Sequence, residues 1–438
     1  MPDDREFYKP EIGVELTAAG ARFDVAAWRA SMQAKLDTIY TDMTKVEIPL
    51  TAFGDLRTAE ITPILQATFE YTVDNTEINE KIVTAGGTVT QADAMAVLST
   101  STTTGSDAIF RSETGARYRA GVGGLMRFTA LFENNAAGTE SYMGLADEAG
   151  SSEAFKNGLM VGYDGTTFGL HRFQNDTKIS VVQSAWDDPM DGTGESGMTL
   201  DQTKLNVYGI GFQYLGSGKI QLLLEDDSTG LFVVAHTILY ANNFTVPSVY
   251  NPNFNCTMWV DNKATTTDIV LKSASYAYFV EGQTQYTELH QPQQFSNEIE
   301  KTSVTALTAI FTIRNKALYA SKTNFIDIIL EHFTTSIEAS SANNLGEIHL
   351  VKNATLGGTP AYADINTNDS VVDIDTAGTT VTGGKDIFGT PLAGKNDRAH
   401  INLLPYRIII EPGDTVTVAA ESAASATINA SLLWKELF

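Results

Sequence analysis

From Ile48 almost to its last residue the chain alternates apolar and polar side chains in strand-length runs, and this constrains its fold more than any other feature. In residues 126–132, Met126, Phe128, Ala130 and Phe132 fall on one face, while Arg127, Thr129 and Leu131 fall on the other. That period of two is the mark of a half-buried strand. Tyr208, Ile210, Phe212 and Tyr214 repeat it. So do Ile220, Leu222 and Leu224, then Phe232, Val234, His236, Ile238 and Tyr240, then residues 270–280. Asp164-Gly165 signals a hairpin between two runs spanning 158–173, because both residues tolerate the positive φ of a tight turn. The runs recur at spacings of about ten residues and never alternate with helical segments, which predicts antiparallel sandwiches rather than a parallel sheet.

Residues 281–297, EGQTQYTELHQPQQFSN, are polar, Gln-rich and aperiodic, and read as a linker. A second strand set follows: 306–313, 325–330, 347–351, 371–374, 407–410, 415–419 and 427–434, with Pro412-Gly413-Asp414 as a turn. The one helical period lies ahead of the β sequence. Trp28, Met32, Leu36, Ile39 and Met43 form a single stripe, with Asp24 as N-cap and Pro49 beyond the end. Such a helix either lies on its own domain or joins copies as a short coiled coil. The expected fold is therefore mainly β, with two antiparallel sandwich or jelly-roll domains preceded by a short N-terminal helix. The expected boundaries are an arm over 1–47, a first sandwich over 48–280, the linker over 281–297 and a second sandwich over 298–438.

Charge narrows the partners. With 29 Lys and Arg against 53 Asp and Glu, the net charge of −24 and the scattered basic residues give no patch for phosphate backbones or anionic membrane. Neither nucleic acid nor membrane insertion is expected. The single cysteine, Cys256, excludes intrachain disulfides and cysteine-rich zinc sites. The start, MPDDREFYKPEIG, has neither the basic nor the apolar part of a signal peptide, so synthesis in a cytoplasm is expected.

The runs RYRAGVGGLMRFTALF, NGLMVGYDGTTFGLHRFQN and DGTGESGMTLDQTKLNVYGIGFQYLGSGKIQLLLED, with VVAHTILYANN, lie between Tyr118 and Asn262. This stretch resembles a module of virion structural proteins of tailed bacteriophages and some large DNA viruses, a concanavalin-type, lectin-like β-sandwich. The C-terminal runs LVKNATLGGTPAYADINTNDSVVDID and IEPGDTVTVAAESAASATINASLLWKELF are similar to a second β-module often placed after it. The resemblance implies a non-enzymatic capsid decoration, head-fibre, neck or tail component, assembled in an infected host's cytoplasm. It also implies a homo-oligomer, a trimer by analogy with fibres, with capsid, neck or tail proteins as partners. Fold alone does not fix function. A glycan-binding receptor-recognition lectin is the first alternative, and a glycan-cleaving enzyme the second.

Little in the sequence carries catalysis. Glycan hydrolysis needs paired carboxylates, but Glu225-Asp226-Asp227 runs into Ser-Thr-Gly, the composition of a turn. Gly389, Gly394 and Lys395 match a phosphate-loop spacing, yet Asn396 replaces the magnesium-holding hydroxyl and no helix follows. No catalytic residue is assigned. Trp186, Tyr163, Phe168 and Tyr250 are candidates for a sugar platform, since aromatic faces stack on pyranose rings; core burial is the alternative for each. Asp187, Asp188, Asp191 and Glu195 gather hard oxygen ligands on the Gly-rich loop WDDPMDGTGESG, a candidate calcium site whose alternative is a solvated acidic loop. No other cofactor is expected.

Overall fold

A computed structural model describes residues 29–36, 61–76, 78–282, 293–339 and 344–437. The chain forms two compact units, Met1–Ala59 and Glu60–Phe438. In the first, residues 29–36 are α-helical, and Met32 and Leu36 are 43% and 54% exposed on it. The stripe is thus uncovered at both positions. Trp28, Ile39 and Met43, with the cap Asp24 and Pro49, lie outside the described residues.

The second unit contains two antiparallel β-sandwiches. The first sandwich pairs a nine-stranded with a seven-stranded sheet. The nine-stranded sheet runs Phe232–Ile238, Ile220–Glu225, Asn206–Gln213, Gly123–Phe132. It then forks. Ser275–Glu281 and Ile61–Thr68 continue from the early part of Gly123–Phe132, while Val270–Ser273, Met95–Ser99 and Thr88–Ala92 continue from its end. The fork splits the single run expected over 270–280. Thr129 Oγ1 accepts the N–H groups of Ala274 and Ser275 at 2.8 and 3.2 Å, where that run changes register.

The seven-stranded sheet runs Lys178–Val182, Thr167–Phe173, Gly158–Asp164, Glu140–Ala146, Asn255–Asp261, Asp107–Ser112, Asn79–Thr84. Alternation dictates what lies between the sheets. Met126, Phe128, Tyr208 and Leu222 meet Met143, Leu159, Met258 and Phe110 in one core. Five strands between residues 61 and 112 belong to this sandwich, so the segment ahead of Tyr118 opens it rather than forming a domain of its own. The hairpin at 158–173 closes through Gly165 and Thr166, one residue later than Asp164-Gly165, with φ of +63° at Gly165.

The second sandwich opposes a five-stranded to a six-stranded sheet. In the first sheet, Gln293–Val304, Ala426–Glu436, Ile328–Ala339 and Arg398–Asn402 lie in that order, and Ile409–Ile410 also pairs with Ile328–Ala339. The other runs Ala363–Asp364, Val372–Asp375, Thr308–Asn315, Thr415–Ser422, Gly346–Lys352, Lys385–Leu392. Trp434, Phe333, Phe311, Leu350 and Val418 fill the space between them. Strand Gln293–Val304 starts inside the stretch expected as linker, so residues 293–297 are sheet. Gly389 of the phosphate-loop spacing is also in a strand. The two sandwiches touch through polar groups: Thr114 Oγ1 donates to Glu411 Oε1 at 2.6 Å, and Thr323 Oγ1 to Glu148 Oε2 at 2.8 Å.

Candidate functional site

Where strand Glu140–Ala146 ends, the chain turns out of the seven-stranded sheet at Asp147, beside the second sandwich. The carboxylate of Asp147 is buried and tied down. Its Oδ1 accepts the Asn157 backbone N–H at 2.6 Å, and its Oδ2 accepts the Nδ2 amides of Asn157 and Asn251 at 2.8 and 3.2 Å. Burial pushes the Asp147 carboxyl up to about 6, against the opposing pull of those N–H groups. Asn157 Oδ1 in turn accepts the N–H groups of Tyr250 and Asn175, at 2.8 and 3.0 Å. One buried acid and one buried amide therefore fix the backbone from Tyr250 to Asn251. Asn251 Oδ1 then accepts the Asn253 N–H at 3.0 Å, continuing the network along NPN.

This network forms one wall of a cleft between the sandwiches. A cavity of about 490 Å³ is lined by Tyr250, Asn251 and Lys156 on one side and by Leu318, Lys322 and Phe325 on the other. A second of about 310 Å³ shares Asp147, Glu148, Thr323 and Phe325 with it. Tyr250 is 51% exposed at the mouth. Partial burial disfavours charge on Glu148, but hydrogen bonds from Lys156 Nζ, at 2.7 Å, and Thr323 outweigh it and hold the carboxyl below its usual range. Deeper in, burial raises Asp327 to about 7, with Glu411 adding to the rise and Arg117 opposing it. Glu113 is raised too, by burial and then by Glu411 and Glu80. The cleft thus combines an exposed phenol ring, fixed amides and closely set acids. That is a lining for a polar, hydroxyl-rich ligand with one apolar face.

Of the four platform candidates, only Tyr250 lies in this cleft. Tyr163, Phe168 and Trp186 are buried in the first core, as edge-to-face neighbours: Tyr163 meets Phe168 at 4.9 Å, and Phe168 meets Trp186 at 6.1 Å. Trp186 Nε1 donates to Val181 O at 3.0 Å, which satisfies the only polar atom it buries. Tyr163 and Phe168 pack because their strand positions face the opposite sheet, and Trp186 packs because the loop after Lys178–Val182 folds its ring onto Phe168.

The acidic loop is built differently from a cation cage. The carboxylate of Asp188 is buried and accepts the N–H groups of Met190 and Ser196 at 3.1 and 2.8 Å; burial opposes its charge, yet these bonds hold the carboxyl below its usual range. A Cβ at Gly194 would lie 1.9 Å from Asp188 Oδ1, so the loop closes over this acid only with glycine there. Asp191 accepts from the Thr193 N–H at 2.9 Å as a turn residue, and Asp187 from the Thr237 N–H at 2.7 Å. Glu195 is exposed. Among the described residues, no three of these four bring ligand atoms within 4.8 Å of one another. Asp226 likewise accepts the Ser228 N–H, at 2.8 Å, in the turn its composition predicts.

Two acids distant in sequence do converge on the outer face of the seven-stranded sheet. Lys178 Nζ lies 2.6 Å from Glu140 Oε1 and 2.8 Å from Asp164 Oδ2, and Lys263 Nζ lies 2.8 Å from Glu140 Oε2. Beside them Tyr142 stacks on Trp259 with centroids 5.6 Å apart, under the loop residue Phe155. His171 is buried there with its nitrogens against Ser180 Oγ and Gly162 O, and burial lowers it to about 4.

No protein-family profile matches the sequence, and no curated protein matches it. Solved structures do match. The legume lectin-like domain from Entamoeba histolytica is similar at 11% identity over 50% of this chain and 98% of its own, with a TM-score of 0.32. Arcelin-5, a lectin-like defence protein from Phaseolus vulgaris, is similar at 8% identity over 52% and 100%, with a TM-score of 0.33. A pseudo β-1,3-glucanase of Mycobacterium tuberculosis is similar at 10% identity over 51% and 99%, with a TM-score of 0.32. At such identities the likeness concerns the course of the chain and none of its chemistry.

Proposed function

We propose that this chain is a non-enzymatic structural component of a virus particle, of the decoration, fibre, neck or tail kind, and that the cleft between its sandwiches holds a host-surface glycan. The glycan reading is carried by Tyr250, whose half-exposed ring stands at the mouth of a cleft lined by fixed amides and acids. Such a ring packs on the apolar face of a pyranose while the polar groups take its hydroxyls. An open cleft of this size gives millimolar to micromolar affinity, which a homo-oligomer, a trimer by analogy with fibres, multiplies through avidity. The resemblance of residues 118–262 and of the C-terminal runs to virion proteins supports the particle reading. The convergent pair Glu140 and Asp164 favours binding over cleavage: the Lys178 ammonium sits between the two carboxylates, where a hydrolytic water or a leaving oxygen would have to stand.

A glycan array probed with the intact protein and with Tyr250→Ala tests the glycan reading. The expected result is a restricted set of sugars bound by the parent and weakened about tenfold or more in the variant, the loss of roughly 1.4 kcal/mol of stacking. A blank array, or an unchanged one with Tyr250→Ala, overturns it.

A further inference from the structure

On the outer face of the six-stranded sheet, away from the cleft, Glu347 and Glu421 stand directly opposite each other on the paired strands Gly346–Lys352 and Thr415–Ser422. Like charges in that position repel. His349, two residues beyond Glu347, shares their face, and its Nε2 lies 3.7 Å from Glu347 Oε2. One ligand atom from each of the three lies within 4.8 Å of the others. The far side of the imidazole is also fixed. His349 Nδ1 lies 2.7 Å from Asp386 Oδ2, so Nδ1–H donates to that carboxylate and Nε2 turns its lone pair toward the two glutamates. Gly389 is the cross-strand partner of His349, so no side chain stands directly across from the imidazole.

We propose that Glu347, His349 and Glu421 bind one divalent transition-metal ion, zinc by preference, and that Asp386 is the positioning residue for the imidazole. Two ligands that each sit about 2.1 Å from one ion cannot be more than about 4.2 Å apart, and the Glu347–His349 separation is inside that limit. An imidazole nitrogen among the donors selects zinc and its neighbours over calcium or magnesium, which take oxygen alone. A carboxylate hydrogen-bonded to the other ring nitrogen is the outer-shell support that metal-binding histidines use. The ion would cancel the cross-strand repulsion, and its remaining positions would face solvent.

The test is zinc content after the chelator-stripped full chain is dialysed against micromolar Zn2+, with the visible spectrum of the Co2+ form as a second readout. The expected result is about one ion per chain, lost in His349→Ala and in Glu421→Gln, and held about tenfold or more weakly in Asp386→Asn. Glu421→Gln keeps the side chain's shape and serves if His349→Ala fails to fold. Equal zinc in parent and His349→Ala, or none retained by the parent, overturns the proposal. So does loss on His332→Ala alone, since His332 stacks on His400 at 5.4 Å and would be the competing site.

Discussion

At the scale of single residues, period two reports which face of a strand a side chain takes but not whether that face is covered. Tyr163 and Phe168 face the opposite sheet and are core, while Tyr142 and Trp259 face outward and are covered by the loop carrying Phe155. Tyr250 sits in coil without a period, so its exposure was not legible, and neither was its link to Asn157, 93 residues away. The signal on offer was the short amide-rich run Asn251-Pro252-Asn253, the composition of a turn whose side chains bond its own backbone. Trp186→Ala lowers stability by about 3–5 kcal/mol, read by denaturant unfolding, because it empties core volume. The Asp187–Glu195 loop is already held by its own hydrogen bonds, so millimolar calcium leaves the melting temperature unchanged; a rise of several degrees that vanishes in Asp188→Asn would restore the calcium reading.

At the scale of elements, strands with clean alternation were legible within a few residues, as in Gly123–Phe132 and Asn206–Gln213. Lys385–Leu392 and Arg398–Asn402 were not, because both are polar edge strands that bury little on either face. Nor was the joint between the sandwiches, where Glu113 and Thr114 of the first strand set meet Glu411 of the second. Its acids make a pH prediction. Asp147 and Asp327 are raised in the folded state, to about 6 and about 7, so the stability they contribute is full below about pH 4 and is lost as pH rises through 6 and 7. His171, lowered to about 4, adds stability as pH rises to about 6.5 and opposes them there, so unfolding free energy measured across the window should fall most clearly above pH 6.5. Asp327→Asn removes one proton's share of the slope, at most about 1.4 kcal/mol per pH unit. An identical slope in parent and variant contradicts the assignment.

For the whole molecule, a charge of −24 makes copies repel one another at long range, while Met32 and Leu36 stand exposed on the helix at residues 29–36. Light scattering after size exclusion should give a mass that is a multiple of 47.3 kDa, three-fold on the fibre analogy, and Leu36→Glu should shift it toward one copy if the helix joins chains. A single-copy mass for the parent contradicts the oligomer. The particle assignment is tested most directly by quantitative mass spectrometry of gradient-purified particles from the source culture. The prediction is a fixed copy number per particle, hundreds for a shell decoration protein or a few to tens for a neck, tail or fibre component. Particles that lack the chain would contradict the account.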